Sequence, residues 1–256
     1  MVVIDEGTLS QIGEKLKEMT NPVTAIIFTA EDGCEYCKDA ENLLKEIQSV
    51  APKLIVKSYL LSKNAAEAKK YRIEKTPAII LENGSSKIGL LRYFGLPAGY
   101  EMSTFLSDLI DLSRGEPKIS SSLKEQVRSI SFPVHIQVFV TPQCPYCPPA
   151  VKLAHDFAML NPNVTGDMVE VTEFPDLSEK YNVMGVPKTV INETLELEGA
   201  YPIDVVIKKI LELNKNYDTQ NREEIEVINM EKCLEAYDQL LEKKTGLGEK
   251  LILSLH

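Results

Sequence analysis

The chain has 256 residues, enough for one large domain or two modest ones, with hydrophobic residues at 44% and charged residues at 26%, which excludes wholesale disorder. Its net charge of -10, from 28 basic against 38 acidic residues, argues against a surface that tracks nucleic-acid phosphates. Apolar runs such as 23–28 are too short to span a bilayer, and the opening residues lack a basic region and an apolar core of the signal-peptide kind, so a soluble, unexported protein is expected.

In chain order, Ile12, Leu16 and Met19 have helical spacing, and Pro22 ends that helix before a β-rich run at 23–30. Cys34 and Cys37 follow as a Cys-x-x-Cys pair opening a helix whose apolar stripe is Ala40, Leu43, Leu44, Ile47 and Val50. A strand is expected at 54–61, a short helix at 65–73, and a third strand at 78–82, entered through Thr76-Pro77. A further short strand, the glycine-bearing segment 92–99 and a helix at 102–112 complete this unit. The stretch 113–122 has the Gly, Pro and Ser content of a linker.

The same order then repeats. Leu123, Val127 and Ile130 have helical spacing, Pro133 precedes a strand at 134–141, and Cys144 and Cys147 open a helix with Ala150, Leu153, Ala154 and Phe157 on its stripe. A strand at 168–174, a helix at 176–183, the Val186-Pro187 pair, a strand at 189–193 and a helix at 203–213 follow. The register is strict: Cys144 lies 110 residues after Cys34 and Pro187 110 after Pro77, each proline 43 residues beyond the first cysteine of its unit. Tyr36/Tyr146, Leu43/Leu153 and Tyr71/Tyr181 keep that offset, and upstream Pro22/Pro133 and Phe28/Phe139 match at 111. The pattern predicts a duplicated α/β domain, two tandem units each with a central mixed sheet flanked by helices. The boundaries read as 1–117 for the first unit, 118–215 for the second, and 216–256 for an extension of helix and tail, with a stripe through Met230, Cys233, Leu234 and Tyr237. Cys233, on that apolar stripe, reads as a buried, inert thiol.

Four of five cysteines fall in the two pairs, too few and too clustered for a secreted disulfide scaffold. A cysteine at a helix start faces unpaired N–H groups and the positive end of the helix dipole, both favouring thiolate. Cys34 and Cys144 are the expected nucleophiles, and Cys37 and Cys147, one turn deeper, the resolving thiols. A proline at the strand entry, if cis, leaves a backbone edge onto which an extended substrate can pair, the role expected of Pro77 and Pro187. The centres should differ through Glu35 and Tyr36 in the first and Pro145 and Tyr146 in the second. Glu31, Asp32, Glu35 and Asp39 oppose thiolate formation at the first, with only Lys38 favouring it, whereas 141–151 carry no charge, so Cys144 should have the lower pKa and the second centre be the better oxidant.

The motifs 34-CEYC-37, 92-RYFGLPAG-99, 139-FVTPQCPYCP-148, 181-YNVMGVPK-188 and 198-EGAYP-202 together resemble the protein disulfide oxidoreductases of hyperthermophilic archaea and bacteria. Those proteins have two thioredoxin folds and are related to protein disulfide isomerase. The resemblance covers about residues 5–215. It implies dithiol–disulfide exchange on protein substrates, by oxidation, reduction and isomerisation, without a cofactor. It also implies a cytoplasmic location, a thioredoxin-reductase-type electron donor and peroxiredoxin clients. The pair 144-CPYC-147 matches the glutaredoxin site, while the thioredoxin Trp-Cys-Gly-Pro-Cys motif is absent. Thioredoxins keep a carboxylate six residues before the first cysteine. Phe28 and Val138 stand there, leaving the proton acceptor unassigned; Glu170 is a candidate, although a solvent-facing strand carboxylate is the commoner case.

Two other classes fit parts of the sequence. Two Cys-x-x-Cys pairs can bind zinc, usually at closer spacing, and the remaining ligands are few: His135 in a strand, His155 expected on a helix surface, and His256 at the terminus. A thioredoxin-like pair can also serve as a non-catalytic chaperone or binding module. Four intact cysteines favour the enzyme.

Overall fold

The computed structural model describes residues 4–213. The chain divides into a compact unit ending at Lys208 and a second beginning at Lys209, of which residues 209–213 are described. The expectations placed on 216–256, Cys233 and its stripe included, lie outside the described residues.

The first repeat supplies α1 (Glu6–Leu16), β1 (Val23–Thr29), α2 (Cys37–Val50), β2 (Leu54–Leu60), α3 (Ala65–Tyr71), β3 (Ala78–Glu82), β4 (Leu90–Phe94) and α4 (Glu101–Arg114). The second supplies α5 (Ser121–Arg128), β5 (Val134–Val140), α6 (Cys147–Leu160), β6 (Val164–Glu170), α7 (Pro175–Lys180), β7 (Lys188–Ile191) and β8 (Leu195–Glu198), and residues 203–208 are helical. Asp5 and Ser120 cap α1 and α5 through side chains that accept from Thr8 N–H and Leu123 N–H. Two details differ from the sequence reading. Helices α2 and α6 begin at the second cysteine of each pair, so Cys34 and Cys144 lie in the preceding turn. Strand β6 runs from Val164 to Glu170, earlier than the 168–174 expected, because α6 ends at Leu160. There Asn161 Nδ2 donates to the carbonyls of Val127 and Ile130 and fixes an early turn.

The eight strands among the described residues form one sheet, in the order β2-β1-β3-β4-β6-β5-β7-β8. Each repeat contributes a four-stranded β-α-β, β-β-α block, and β4 of the first pairs in parallel with β6 of the second. β1 and β5 are flanked by strands on both sides; β1 reads as a near-continuous apolar run, while β5 carries His135 and Gln137 among its buried apolar residues. The second strands of the repeats have different fates. β2 is an edge strand with exposed residues, whereas β6 is buried along its whole length.

That burial carries polar groups into the seam. Arg92 on β4 stands opposite Asp167 on β6 and donates from Nε and Nη2 to its two oxygens at 2.7 Å each. Arg92 Nη1 donates to the carbonyls of Tyr71 and Arg72, and His135 Nε2 lies 2.6 Å from Asp167 Oδ2. Burial alone would raise the Asp167 pKa, but Arg92 and His135 outweigh it and hold the carboxyl well below its usual range. The duplication is visible in side chains as well. Lys70 Nζ donates to Tyr71 Oη, which donates to Glu82, and Lys180, Tyr181 and Glu193 repeat that chain.

Helices α1, α2, α4, α5 and α6 pack side by side along the sheet. An apolar cluster joins Ala68 and Tyr71 of α3 with Phe174 and Tyr181 around α7, through Ile26, Phe28, Phe94, Phe139 and Val169 of the strands. No helix among the described residues is long and apolar enough to cross a membrane.

Candidate active site

The ends of β1 and β5 deliver the two cysteine pairs to helix starts, the short strand-to-helix turn being the device in both repeats. In the first, Cys34 and Cys37 are joined as a disulfide with Cα atoms 5.5 Å apart, and in the second Cys144 and Cys147 are joined likewise, also at 5.5 Å. Cys34 is half-buried and Cys37 only 4% exposed, while Cys144 is 7% and Cys147 0% exposed. In both pairs the first cysteine faces out more than the second. The backbone N–H of Ala30 lies 3.4 Å from Cys37 Sγ, which accepts from it. Pro148 and Pro149 fill the first turn of α6, where a missing N–H costs nothing.

The Thr76-Pro77 and Val186-Pro187 peptide bonds are cis. Each proline leads directly into its strand, β3 or β7. Cys144 Sγ lies 3.8 Å from the carbonyl oxygen of Val186, which places the second proline beside its dithiol. Gly95 N–H donates to the Pro77 carbonyl, and Gly199 N–H donates to the Pro187 carbonyl, the same contact in each repeat.

The surroundings of the two pairs differ in character. Glu31, Asp32 and Glu35 are exposed beside the first. Tyr36, half-buried there, has its phenol pKa raised by Glu35 first and then by burial, Glu173, Glu170 and Asp39. Around the second, Pro145 and Tyr146 are exposed, Tyr146 at 70%, and Met184 near Pro187 stands 85% exposed. Tyr100 N–H donates to the Pro142 carbonyl, tying the segment 92–99 to the approach of Cys144. Gly99 permits this: its φ is +59°, and a Cβ there would sit 2.2 Å from the Pro142 carbonyl oxygen.

Two expectations are corrected. His155 is not on a helix surface but fully buried, with Nδ1 2.6 Å from Asp108 Oδ2 and Nε2 donating to the Arg92 carbonyl. Tyr93 Oη donates to the same Asp108 oxygen, and Lys152 bridges Asp108, Asp111 and Asp156. This network fastens α6, the helix behind the second dithiol, to α4. Glu170 likewise is not solvent-facing but 2% exposed, accepting from Thr172 Oγ1 and Glu173 N–H. Glu101 escaped the sequence reading. It is buried at the start of α4, next to Tyr100, and burial pushes its carboxyl up to about 7. The signal available was its position directly after the segment 92–99. Among the described residues no group of three or more His, Cys, Asp or Glu side chains converges as a cation site.

Comparison with known proteins gives a consistent picture. The thioredoxin domain family is matched over residues 134–212. A protein disulfide oxidoreductase from Aeropyrum pernix is 30% identical, with 84% of this chain and 96% of that one covered and a TM-score of 0.78. The AhpF component of alkylhydroperoxide reductase from Enterococcus faecalis, at 23% identity, 81% and 99% coverage and a TM-score of 0.74, shares the fold. Among curated sequences, a Bacillus subtilis NADH dehydrogenase is 23% identical over 82% of this chain and 38% of its own length. A component of the alkyl hydroperoxide reductase of Staphylococcus aureus is also 23% identical, over 85% and 40%. The chain thus spans about two fifths of the length of the curated relatives it matches.

Proposed function

The chain belongs to the protein disulfide oxidoreductases, built of tandem thioredoxin-like units, and on that footing we propose that it exchanges disulfides with protein substrates at two centres, Cys34/Cys37 and Cys144/Cys147. The observation that carries this reading is the closure of each pair into its own disulfide at a strand-to-helix turn, the more exposed sulfur foremost.

In reduction, the Cys34 or Cys144 thiolate attacks one sulfur of a substrate disulfide. The substrate S–S bond breaks, a mixed disulfide forms, and the departing substrate thiolate takes up a proton. The Cys37 or Cys147 thiol loses its proton and attacks the enzyme sulfur of the mixed disulfide, releasing the second substrate thiolate and leaving the enzyme disulfide. Oxidation of a substrate dithiol is the same sequence reversed. Pro77 and Pro187 carry the backbone edge along which the substrate strand lies. Glu35 and Tyr36 tune the first centre and Pro145 and Tyr146 the second, with Cys144 the more acidic nucleophile and the second centre the stronger oxidant.

We assign the functional units to 1–117 and 118–215, with 216–256 an extension. Electrons are supplied by a thioredoxin-reductase-type donor. The names of the curated relatives, a component of alkyl hydroperoxide reductase among them, support clients of the peroxiredoxin type. The compartment is the cytoplasm of a hyperthermophile, where protein disulfides persist inside cells.

Insulin reduction, followed by turbidity, tests the reading. Wild type is expected to be active, Cys34→Ser and Cys144→Ser each to lose the share of their own centre, and the double variant to lose activity. Equal behaviour of all four would leave only a binding role.

A further inference from the structure

The seam between β4 and β6 brings the second half up to the first dithiol. Phe94 pairs with Val169, so the next residues, Gly95 and Glu170, abut where the strands end. Gly95 has φ +102°, and a Cβ there would stand 2.7 Å from Glu170 Cβ and 3.0 Å from Glu173 Oε1. Only a glycine lets the carboxylates come this close. Leu96 N–H donates to Glu173 Oε1 at 2.7 Å, and Gly95 N–H donates to the Pro77 carbonyl at 3.1 Å. A continuous path therefore runs from Glu173 through two backbone amides to the cis proline of the first centre.

We propose that Glu173, backed by Glu170, is a positioning residue for the first dithiol, a carboxylate lent by the second half that governs how readily Cys34 ionises. The inference rests on the exchange chemistry proposed above. Glu170 Oε1 and Glu173 Oε2 are buried without a hydrogen-bond partner, an arrangement that costs stability. The charged groups acting on Glu173 are Glu170 at the end of β6 and Glu35 inside 34-CEYC-37. Tyr36, which stands with Glu35 between the cysteines, feels Glu35, Glu173, Glu170 and Asp39. Glu173 thus lies within electrostatic reach of both residues that separate Cys34 from Cys37.

Burial, with Glu170 and Glu35 adding to it, pushes the Glu173 carboxyl up to about 7 despite the Leu96 hydrogen bond. Below that pH Glu173 is neutral and Cys34 ionises against Glu35 and its neighbours alone. Above it a further negative charge opposes the thiolate. The position where thioredoxins hold their carboxylate is Phe28 here, so charge control of the first centre comes from across the seam. Among the described residues the second centre has no equivalent, since β8, the counterpart of β4, is the edge strand of the sheet.

The test is the pH profile of Cys34 alkylation, read by peptide mass spectrometry in the reduced full-length chain with Cys144→Ser and Cys147→Ser. With Glu173 present, Cys34 is expected to titrate over a broadened range. With Glu173→Gln, which keeps an acceptor for Leu96 N–H, the curve is expected to sharpen and alkylation at pH 8 to rise roughly threefold. Glu170→Gln is the second variant, expected to shift the broadening to lower pH by removing a charge that adds to the effect of burial on Glu173. Cys144, measured in the Cys34→Ser, Cys37→Ser background, should be unmoved by Glu173→Gln. Superimposable Cys34 curves with and without Glu173, or an equal shift at Cys144, would overturn the proposal. Failure of either dithiol to exchange with any substrate would instead overturn the reading beneath it.

Discussion

With Cys37 replaced by serine, the first centre is expected to stall halfway through exchange, holding its substrate on Cys34 as a persistent mixed disulfide, and Cys147→Ser is expected to do the same on Cys144. The ordering of the sulfurs is the reason. Cys37 and Cys147 are 4% and 0% exposed at the first position of their helices, whereas in the turn ahead Cys34 stands half-buried and Cys144 is 7% exposed, so in each pair the inner sulfur is the less accessible. The outer sulfur meets the substrate and the inner one can attack only its neighbour. A serine hydroxyl stays protonated near neutral pH and is no nucleophile toward a disulfide, so the trapped species decays only through external thiol. In chains whose other centre is also disabled, turnover should fall on the order of 100-fold or more. Non-reducing gels and intact mass check this. Trapping on the inner cysteine, when the outer one is replaced instead, would reverse the assignment.

The second large effect is structural. Arg92→Ala is expected to destabilise the unit by roughly 3–5 kcal/mol, because it leaves Asp167 buried with only His135 against it and also strips the donor from the Tyr71 and Arg72 carbonyls. For a unit of this size that corresponds to a fall in Tm of about 6–20 °C. Chemical denaturation measures it, and a loss below ~1 kcal/mol would show that the pair is not what holds β4 to β6. The pH dependence has a definite sign. The pKa of Asp167 is depressed in the folded state, so its contribution is present above the usual carboxylate range and lost only as pH falls through the depressed value. Arg92→Ala leaves only His135 to hold the Asp167 carboxyl down, so that contribution shrinks and the acid limb of the stability curve should become shallower.

The repeat, the cysteine pairs and the prolines were legible because each is a local pattern written twice. The seam was not. Two copies of one unit can pair by several edges, and nothing local in 164-VTGDMVE-170 says that this strand, unlike 54-LIVKSYL-60, ends up between two others. Everything that follows from the seam was hidden with it: Arg92 against Asp167, 75 residues apart, and Glu170 and Glu173 against Gly95 and Leu96. His155 had a faint signal. Helix α6 is apolar on nearly every side, with Val151, Leu153, Ala154, Phe157, Ala158 and Met159 all buried, and such a helix leaves little surface for a solvated histidine. The helix starts moved by one turn because both tyrosines, Tyr36 and Tyr146, take the cap position instead of the first cysteines.

The central claim is that each dithiol is a self-contained redox couple. Titrating the full-length chain through glutathione buffers of graded potential, with the cysteines mapped by mass spectrometry at each step, tests it most directly. Cys34 is expected to close on Cys37 and Cys144 on Cys147, each in one reversible two-electron step and the second pair at the higher potential. Persistence of four free thiols under oxidising buffer, or cross-pairing between the two sets, would contradict it.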